Sequence, residues 1–137
     1  MTYLDVNKAC VNLFLDNWTE TQIELEGVTL KVNDLDEFTR LQVFNDDSSN
    51  FSHGAEPRRL LTGSLSIEIY IRRGQGIGRQ LKLVDDCVGI FNNVKLANGL
   101  KFDSCEVLDH GQMIAGETVV DPNWLAKTVM TRFRAPI

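Results

Sequence analysis

Apolar and polar positions change their period several times along this chain, and each change marks an element. Thr2 followed by Asp5 has the spacing of a capping box, and Tyr3, Val6, Cys10 and Leu13 then recur at helical spacing, with Ala9 and Phe14 widening the stripe. This predicts a helix with one buried face that ends at Asp16-Asn17-Trp18-Thr19. Ile23 to Val32 reads as a strand with a fault: Ile23 and Leu25 share one parity, Val28, Leu30 and Val32 the other. The switch predicts a bulge at Glu26-Gly27. A second strand is expected from about Glu37 to Phe44. The polar stretch Asn45 to Arg59 follows, too polar to pack and long for a compact domain.

A strand from Leu60 to Arg72 comes next, with Leu65, Ile67, Ile69 and Ile71 on one face, and it closes at Arg72-Arg73-Gly74. From Gln75 to Asn93 the period is helical. Ile77, Leu81, Val84, Val88 and Phe91 are expected to line the buried stripe, with Arg79, Lys82 and Asp86 facing away. Val94–Leu96 and Leu100–Phe102 flank Ala97-Asn98-Gly99, a hairpin signal. Cys105–Leu108 and Met113–Val120 are extended segments around an expected turn at Asp109-His110-Gly111-Gln112, and Asp121-Pro122-Asn123 is a second turn. In the last strand, from Trp124 to about Arg134, Leu125, Val129 and Phe133 point one way and Trp124, Ala126 and Met130 the other.

The order α-β-β-loop-β-α-β-β-β gives an α+β domain of two layers. We expect one domain over residues 1–137, with a mostly antiparallel or mixed sheet, two helices on one face and a long mobile loop at 45–60. Both faces of the last strand are partly apolar. The second face therefore calls for another sheet layer or another subunit.

Composition narrows the function. At 137 residues, one domain can bury roughly two-thirds of its unfolded surface. No apolar run approaches the ~20 residues a bilayer span needs, and the first ten residues carry no secretory pattern. The three cysteines, Cys10, Cys87 and Cys105, have no metal-like spacing and read as free thiols in a reducing compartment. A net charge of −5 argues against a binder that works by neutralising phosphates. It is compatible with a mildly acidic channel wall that DNA passes without sticking.

The chemistry-bearing residues do not assemble into a catalytic pattern. Gly74-Gln75-Gly76-Ile77-Gly78 lies between a strand and a helix, where phosphate loops occur. The third glycine comes one residue early for a dinucleotide fingerprint, and Arg79-Gln80 stand where a P-loop has Lys and Ser/Thr. A surface turn into a helix is the reading that remains. His53 and His110 have no ligand at metal spacing, and Cys87 flanks the apolar stripe of the second helix. The acidic pairs Asp46-Asp47 and Asp85-Asp86 have the chemistry to hold Mg²⁺, but adjacent carboxylates more often simply face water. No enzyme activity, cofactor or metal is expected.

Arginine placement is more informative. Arg58-Arg59 close the long loop and Arg72-Arg73 close the following strand, positions that cannot be core. They serve solubility or, since arginine suits bidentate pairing, charged contacts with a neighbouring subunit. On the second reading Asp46, Asp47, Phe51, Arg58, Arg59, Arg72, Arg73 and Gln75 are the expected interface residues, with Asp46-Asp47 or Glu24 and Glu26 supplying opposite charge.

Several stretches together carry a resemblance. They are the helix ending near Asn17-Trp18-Thr19, the strand from Gln22-Ile23, the run Gly63-Ser64-Leu65-Ser66-Ile67-Glu68-Ile69-Tyr70-Ile71, Gly74-Gln75-Gly76 into a helix, Trp124-Leu125-Ala126-Lys127-Thr128-Val129, and Phe133. In order and length the chain resembles the tail terminator (tail completion) proteins of long-tailed, lambda-like phages and prophages. The resemblance implies a small α/β subunit of a hexameric ring that caps the finished tail tube and presents a surface for head joining. Implied partners are further copies of the chain, the tail tube protein and the head-tail connector or neck protein, with DNA only as passing cargo and no membrane. The implied location is the head-proximal end of the virion tail, after assembly in the host cytoplasm. Alternative readings are another neck, head-tail joining or minor tail protein, a small nucleotide-binding enzyme using Gly74–Gly78, or a structural module without a phage role.

Overall fold

A computed structural model describes residues 2–31, 34–50, 59–72, 74, 76–112, 114–115, 118–119 and 124–136, with side chains left out at 47–50, 109–112, 114–115 and 118–119. Helix α1 (Tyr3–Asn17) opens as its sequence predicts. Thr2 Oγ1 accepts from the Asp5 backbone N–H, and the Asp5 carboxylate accepts from the Thr2 N–H at 2.9 Å. Those bonds to its charged form hold the Asp5 carboxyl below the usual range. The buried stripe is Val6, Cys10 and Phe14. Tyr3, expected inside, is half exposed at the first position of the helix.

Strand β1 (Gln22–Leu25) is shorter than the alternation suggests. The parity switch at Glu26-Gly27 is a turn that ends the strand and not a bulge: Val28 N–H donates to Leu25 O at 3.1 Å and Gly27 takes φ +76°. Beyond it the chain crosses to the other side of the sheet, where Leu30 and Leu35 pack. Strands β2 (Glu37–Asn50) and β3 (Arg59–Arg72) pair antiparallel over most of their 14 residues each. They extend into the stretch expected to be loop. Asn45–Asn50 and Arg59 are strand, with a register shift between Asn45 and Ser48, and residues 51–58 lie outside the described ones. Cross-strand backbone pairing satisfies polar residues as well as apolar ones, so polarity alone did not mark the strand ends.

Helix α2 (Ile77–Phe91) buries Gln80, Leu83, Val84, Cys87 and Phe91. Ile77 and Leu81, expected in the stripe, are 56% and 45% exposed. The stripe is rotated because Gln80 occupies an inward position. Its Nε2 donates to Ile69 O at 3.2 Å and Leu125 O at 3.1 Å, on adjacent strands. Strands β4 (Lys101–Phe102) and β5 (Glu106–Gln112) line one edge of β8 (Trp124–Pro136) in tandem, and β6 (Ile114–Ala115) pairs with β7 (Thr118–Val119). The sheet order is β1-β2-β3-β8-β4, with β5 also on β8; only β1–β2 is parallel. His110, expected in a turn, lies in β5 at a register break that skips it between Asp109 and Gly111. The hairpin at Ala97-Asn98-Gly99 forms as expected, with Gly99 N–H on Leu96 O and Leu96 N–H on Leu100 O.

Both helices cover one face of this mixed, mostly antiparallel sheet, giving the expected α+β fold. Leu65, Ile67, Ile69 and Ile71 face them, all buried, as do Val129 and Phe133 of β8. The opposite face has its own aromatic cluster of Phe38, Tyr70, Trp124 and Ala126. The chain's own Leu30 and Leu35 pack against that cluster.

Candidate interface

Cross-strand register decides what the second face presents. Directly paired residues share a face, so Glu24, Arg40, Glu68 and Thr128 form one row across four strands. Arg40 Nε donates to Glu24 Oε1 at 2.7 Å, and its Nη1 lies 3.8 Å from Glu68. Tyr70 donates its hydroxyl to Glu68. Burial first, then this bond and the Glu68 charge, hold the Tyr70 phenol well above its ordinary value. Burial works against the Arg40 charge, but Tyr70, Glu24 and Glu68 outweigh it and raise its pKa. Two carboxylates flank one guanidinium, which offsets only one of their charges, so the row stays net negative. Glu24 Oε2 also accepts from the Leu30 N–H at 3.2 Å, tying the crossover segment to the sheet.

One step along the strands, Phe38 stacks on Tyr70 with ring centroids 4.5 Å apart, and Trp124 meets Phe38 edge-on at 5.0 Å. Arg72 closes this cluster with its guanidinium carbon 4.5 Å above the Trp124 ring and its Nε on Leu35 O at 2.7 Å. In the other direction the rows are polar: Gln42–Ser66–Met130–Glu106, then Phe44–Ser64–Arg132. Phe44 is 47% exposed there.

Among the described residues, Asp46, Arg59 and Arg72 do not gather in one patch. Asp46 sits on β2 at the register shift and pairs with Arg132 at 2.9 Å. Arg59, exposed, begins β3 opposite Asn50. Arg72, half-buried, ends the same strand and is held by Trp124 and Leu35. Thirteen positions of β3 separate the two arginines, roughly 43 Å of strand. Asp47 belongs to β2, but its side chain is outside the described ones, and Phe51, Arg58, Arg73 and Gln75 lie outside the described residues. The carboxylates named as intermolecular partners have partners within the chain: Glu24 holds Arg40, Glu26 accepts from the Val43 N–H at 2.9 Å, and Asp46 holds Arg132.

Two groups on this surface escaped the sequence reading. Arg40 and Arg132 were hidden because cross-strand partners are set by register, which spacing along one strand does not reveal. Alternation within the last strand did place Arg132 on the same side as Met130, and that was the available signal.

At the glycine turn, Gly74 and Gly76 both adopt positive φ, +98° and +84°, and α2 starts at Ile77. Arg79 in its first turn bonds Glu37 at 2.8 Å and reaches Glu20 at 3.3 Å. The Glu37 bond, the largest contribution, raises the Arg79 pKa above its ordinary value. A phosphate brought to this helix end would meet those two carboxylates. Among the described residues there is no group of three His, Cys, Asp or Glu side chains able to hold a metal, and no helix is long and apolar enough to cross a membrane.

No family model matches this chain, and no curated protein does. Six solved chains do match in structure. One, whose designation carries no functional description, superposes with a TM-score of 0.65 at 12% identity, over 98% of this chain and 96% of its own. The likeness extends over the whole fold and concerns the fold alone.

Proposed function

We propose that this chain is a tail terminator of a long-tailed phage or prophage, a structural subunit that closes the end of the tail tube as a ring. The whole-chain sequence resemblance is the basis of the reading. The observation that best supports it is the construction of the sheet. Helices cover one face, while the other carries charged and polar rows with exposed Phe44. A surface of that kind suits contact with other protein subunits better than small-molecule chemistry.

Capping needs no reaction. A ring that matches the end face of the tube, and offers no copy of the tube's own growing surface, blocks the next layer. Heterologous contacts close into a ring when the rotation per subunit fits. Repetition around the ring lets modest contacts add, with on the order of 800 Å² or less per partner sufficient. No catalytic residue or cofactor takes part.

The test is polymerisation of purified tail tube protein with and without this chain. A terminator stops growth at substoichiometric amounts and appears as density at one tube end. Unchanged tube lengths with binding to capsid connectors would instead move the protein to the neck. Thermal stabilisation by a nucleotide would redirect attention to the Gly74–Gly78 turn.

A further inference from the structure

Two groups of charges lie at opposite ends of the sheet, and in each, two members make no ion pair among the described residues: Asp34 and Asp36 in one, Lys95 and Lys101 in the other. At one end, a cleft of about 620 Å³ is lined by Glu20, Asp34, Asp36 and Glu37, with Arg79 as its single cation among the described residues. Arg79 is engaged by Glu37 and Glu20. Asp34 and Asp36 are exposed, and no ion pair reaches either among the described residues. The Asp36 carbonyl accepts from the Arg72 N–H at 2.9 Å, which fixes this cleft beside the last residue of β3.

At the other end, Lys95 bridges to Lys101 and Lys101 pairs with Arg134, opposite Thr62 of β3. Three cations therefore stand side by side across neighbouring strands, an arrangement that costs stability unless something offsets it. Arg134 has Asp103 at 3.6 Å. Lys95 and Lys101 are exposed, with no ion pair among the described residues. Thr62 and Arg72, the β3 positions level with the two ends, are ten residues apart, roughly 33 Å of strand. That exceeds the Debye length at physiological salt, so the two ends cannot neutralise each other within one subunit.

We infer that the Lys95–Lys101–Arg134 row of one copy docks on the Asp34–Asp36 cleft of the next, forming a head-to-tail contact. The contact is heterologous, since the two surfaces differ, and it therefore permits ring closure. It deepens the ring reading by naming its two surfaces, but it is drawn from charge placement and can fail separately. A second copy is favoured over an anionic polymer as the occupant. The row holds only three cations beside Asp103, on a chain of net charge −5, and the same chain carries the complementary carboxylates.

The experiment uses the full chain in sedimentation velocity over a concentration series, at about 0.1 M and about 1 M salt, where screening shortens from about 10 to about 3 Å. Four proteins are compared: wild type, K95E/K101E, D34K/D36K, and the chain carrying all four changes. Circular dichroism confirms that each is folded. We expect each pair of reversals to raise the concentration for half-assembly by about tenfold or more at low salt. Assembly returns in the four-fold variant, and also when the two reversed proteins are mixed, because opposite charges again face each other. Failure of both rescues would overturn the inference. So would D34K/D36K assembling like wild type, loss of only a DNA-duplex interaction in K95E/K101E, or a wild type that stays monomeric throughout. A wild type that forms rings insensitive to all four changes would end this inference and leave the ring reading standing. A monomeric wild type that still caps tubes would do the same.

Discussion

Phe133 of β8 lays its ring across Gly63 of β3, the residue directly paired with it. A Cβ at Gly63 would come within 2.5 Å of Phe133 Cζ and would also collide with the Phe44 carbonyl. The glycine is required by the ring above it and by the Phe44 carbonyl beside it. Phe133 is one end of an aromatic file that continues through Phe102, Phe91 and Phe14 to Trp18, with successive centroids 5.1–6.2 Å apart, joining β8 to both helices. Gly63→Ala is therefore expected to destabilise the fold by about 1–3 kcal/mol through overpacking. Urea unfolding measures it. The loss should be less than additive with Phe133→Leu, which opens the same space. Strict additivity would mean the ring is not what the methyl group meets.

Gln80 is the polar member of an otherwise apolar stripe, 2% exposed, and its amide serves carbonyls of two different strands. Gln80→Leu keeps the volume but leaves those carbonyls without their donor. The expected cost is about 1–3 kcal/mol, read from the midpoint of a denaturant titration at unchanged slope. A neutral outcome would mean that the backbone supplies other donors there.

The alternation of Leu65 to Ile71 and the capping box of α1 were legible because each depends on residues close in sequence. So was the two-sided apolar pattern of β8. The boundaries of β2 and β3 were not, since backbone hydrogen bonding carries a ladder through polar residues such as Asn45 and Ser48. The rotation of α2 was hidden for another reason: Gln80 counted as polar although two carbonyls draw it inside. The Glu24–Arg40–Glu68 row and the Asp46–Arg132 pair join positions up to 86 apart in sequence, and only strand register brings them together. The charged surface was therefore the least readable part.

Arg40 holds Glu24 and Glu68 on a half-buried surface. Arg40→Met leaves two carboxylates facing one another with no cation between them. Partial solvent access limits the damage to about 1–2 kcal/mol, below the cost of breaking a fully buried pair. Adding Glu24→Gln to this variant should recover part of the loss. Thermal unfolding of the single and double variants checks both expectations, and no recovery would show that the charges are already screened.

Burial pushes the Cys10 thiol up to about 12 from an ordinary value of 9.0, and it raises Cys87 as well. Between those values the folded chain keeps a proton that the unfolded chain releases. The stabilisation is fully present below pH 9 and is lost as pH rises towards 12. Cys10→Ala removes that contribution, so its melting temperature should fall less steeply than wild type over this window. Equal slopes would place the alkaline loss on other groups.

Arg58 and Arg59 provide the test closest to the proposed function. Arg59 is exposed at the start of β3, two residues before buried Leu61. Reversing both to Glu should leave the melting temperature within a few degrees of wild type, because surface substitutions of this kind rarely exceed about 0.5 kcal/mol. Capping is a different matter, since like charges placed opposite one another in a contact oppose association. The double variant is expected to need at least about tenfold more protein to halt tube growth, with most of that loss recovered at high salt. Normal capping by a folded R58E/R59E protein would remove this end of the β2–β3 pair from the interface. Its assembly would then rest on the remaining surfaces, and tube-growth assays of the Lys95 and Asp34 variants would show which of them the tube end engages.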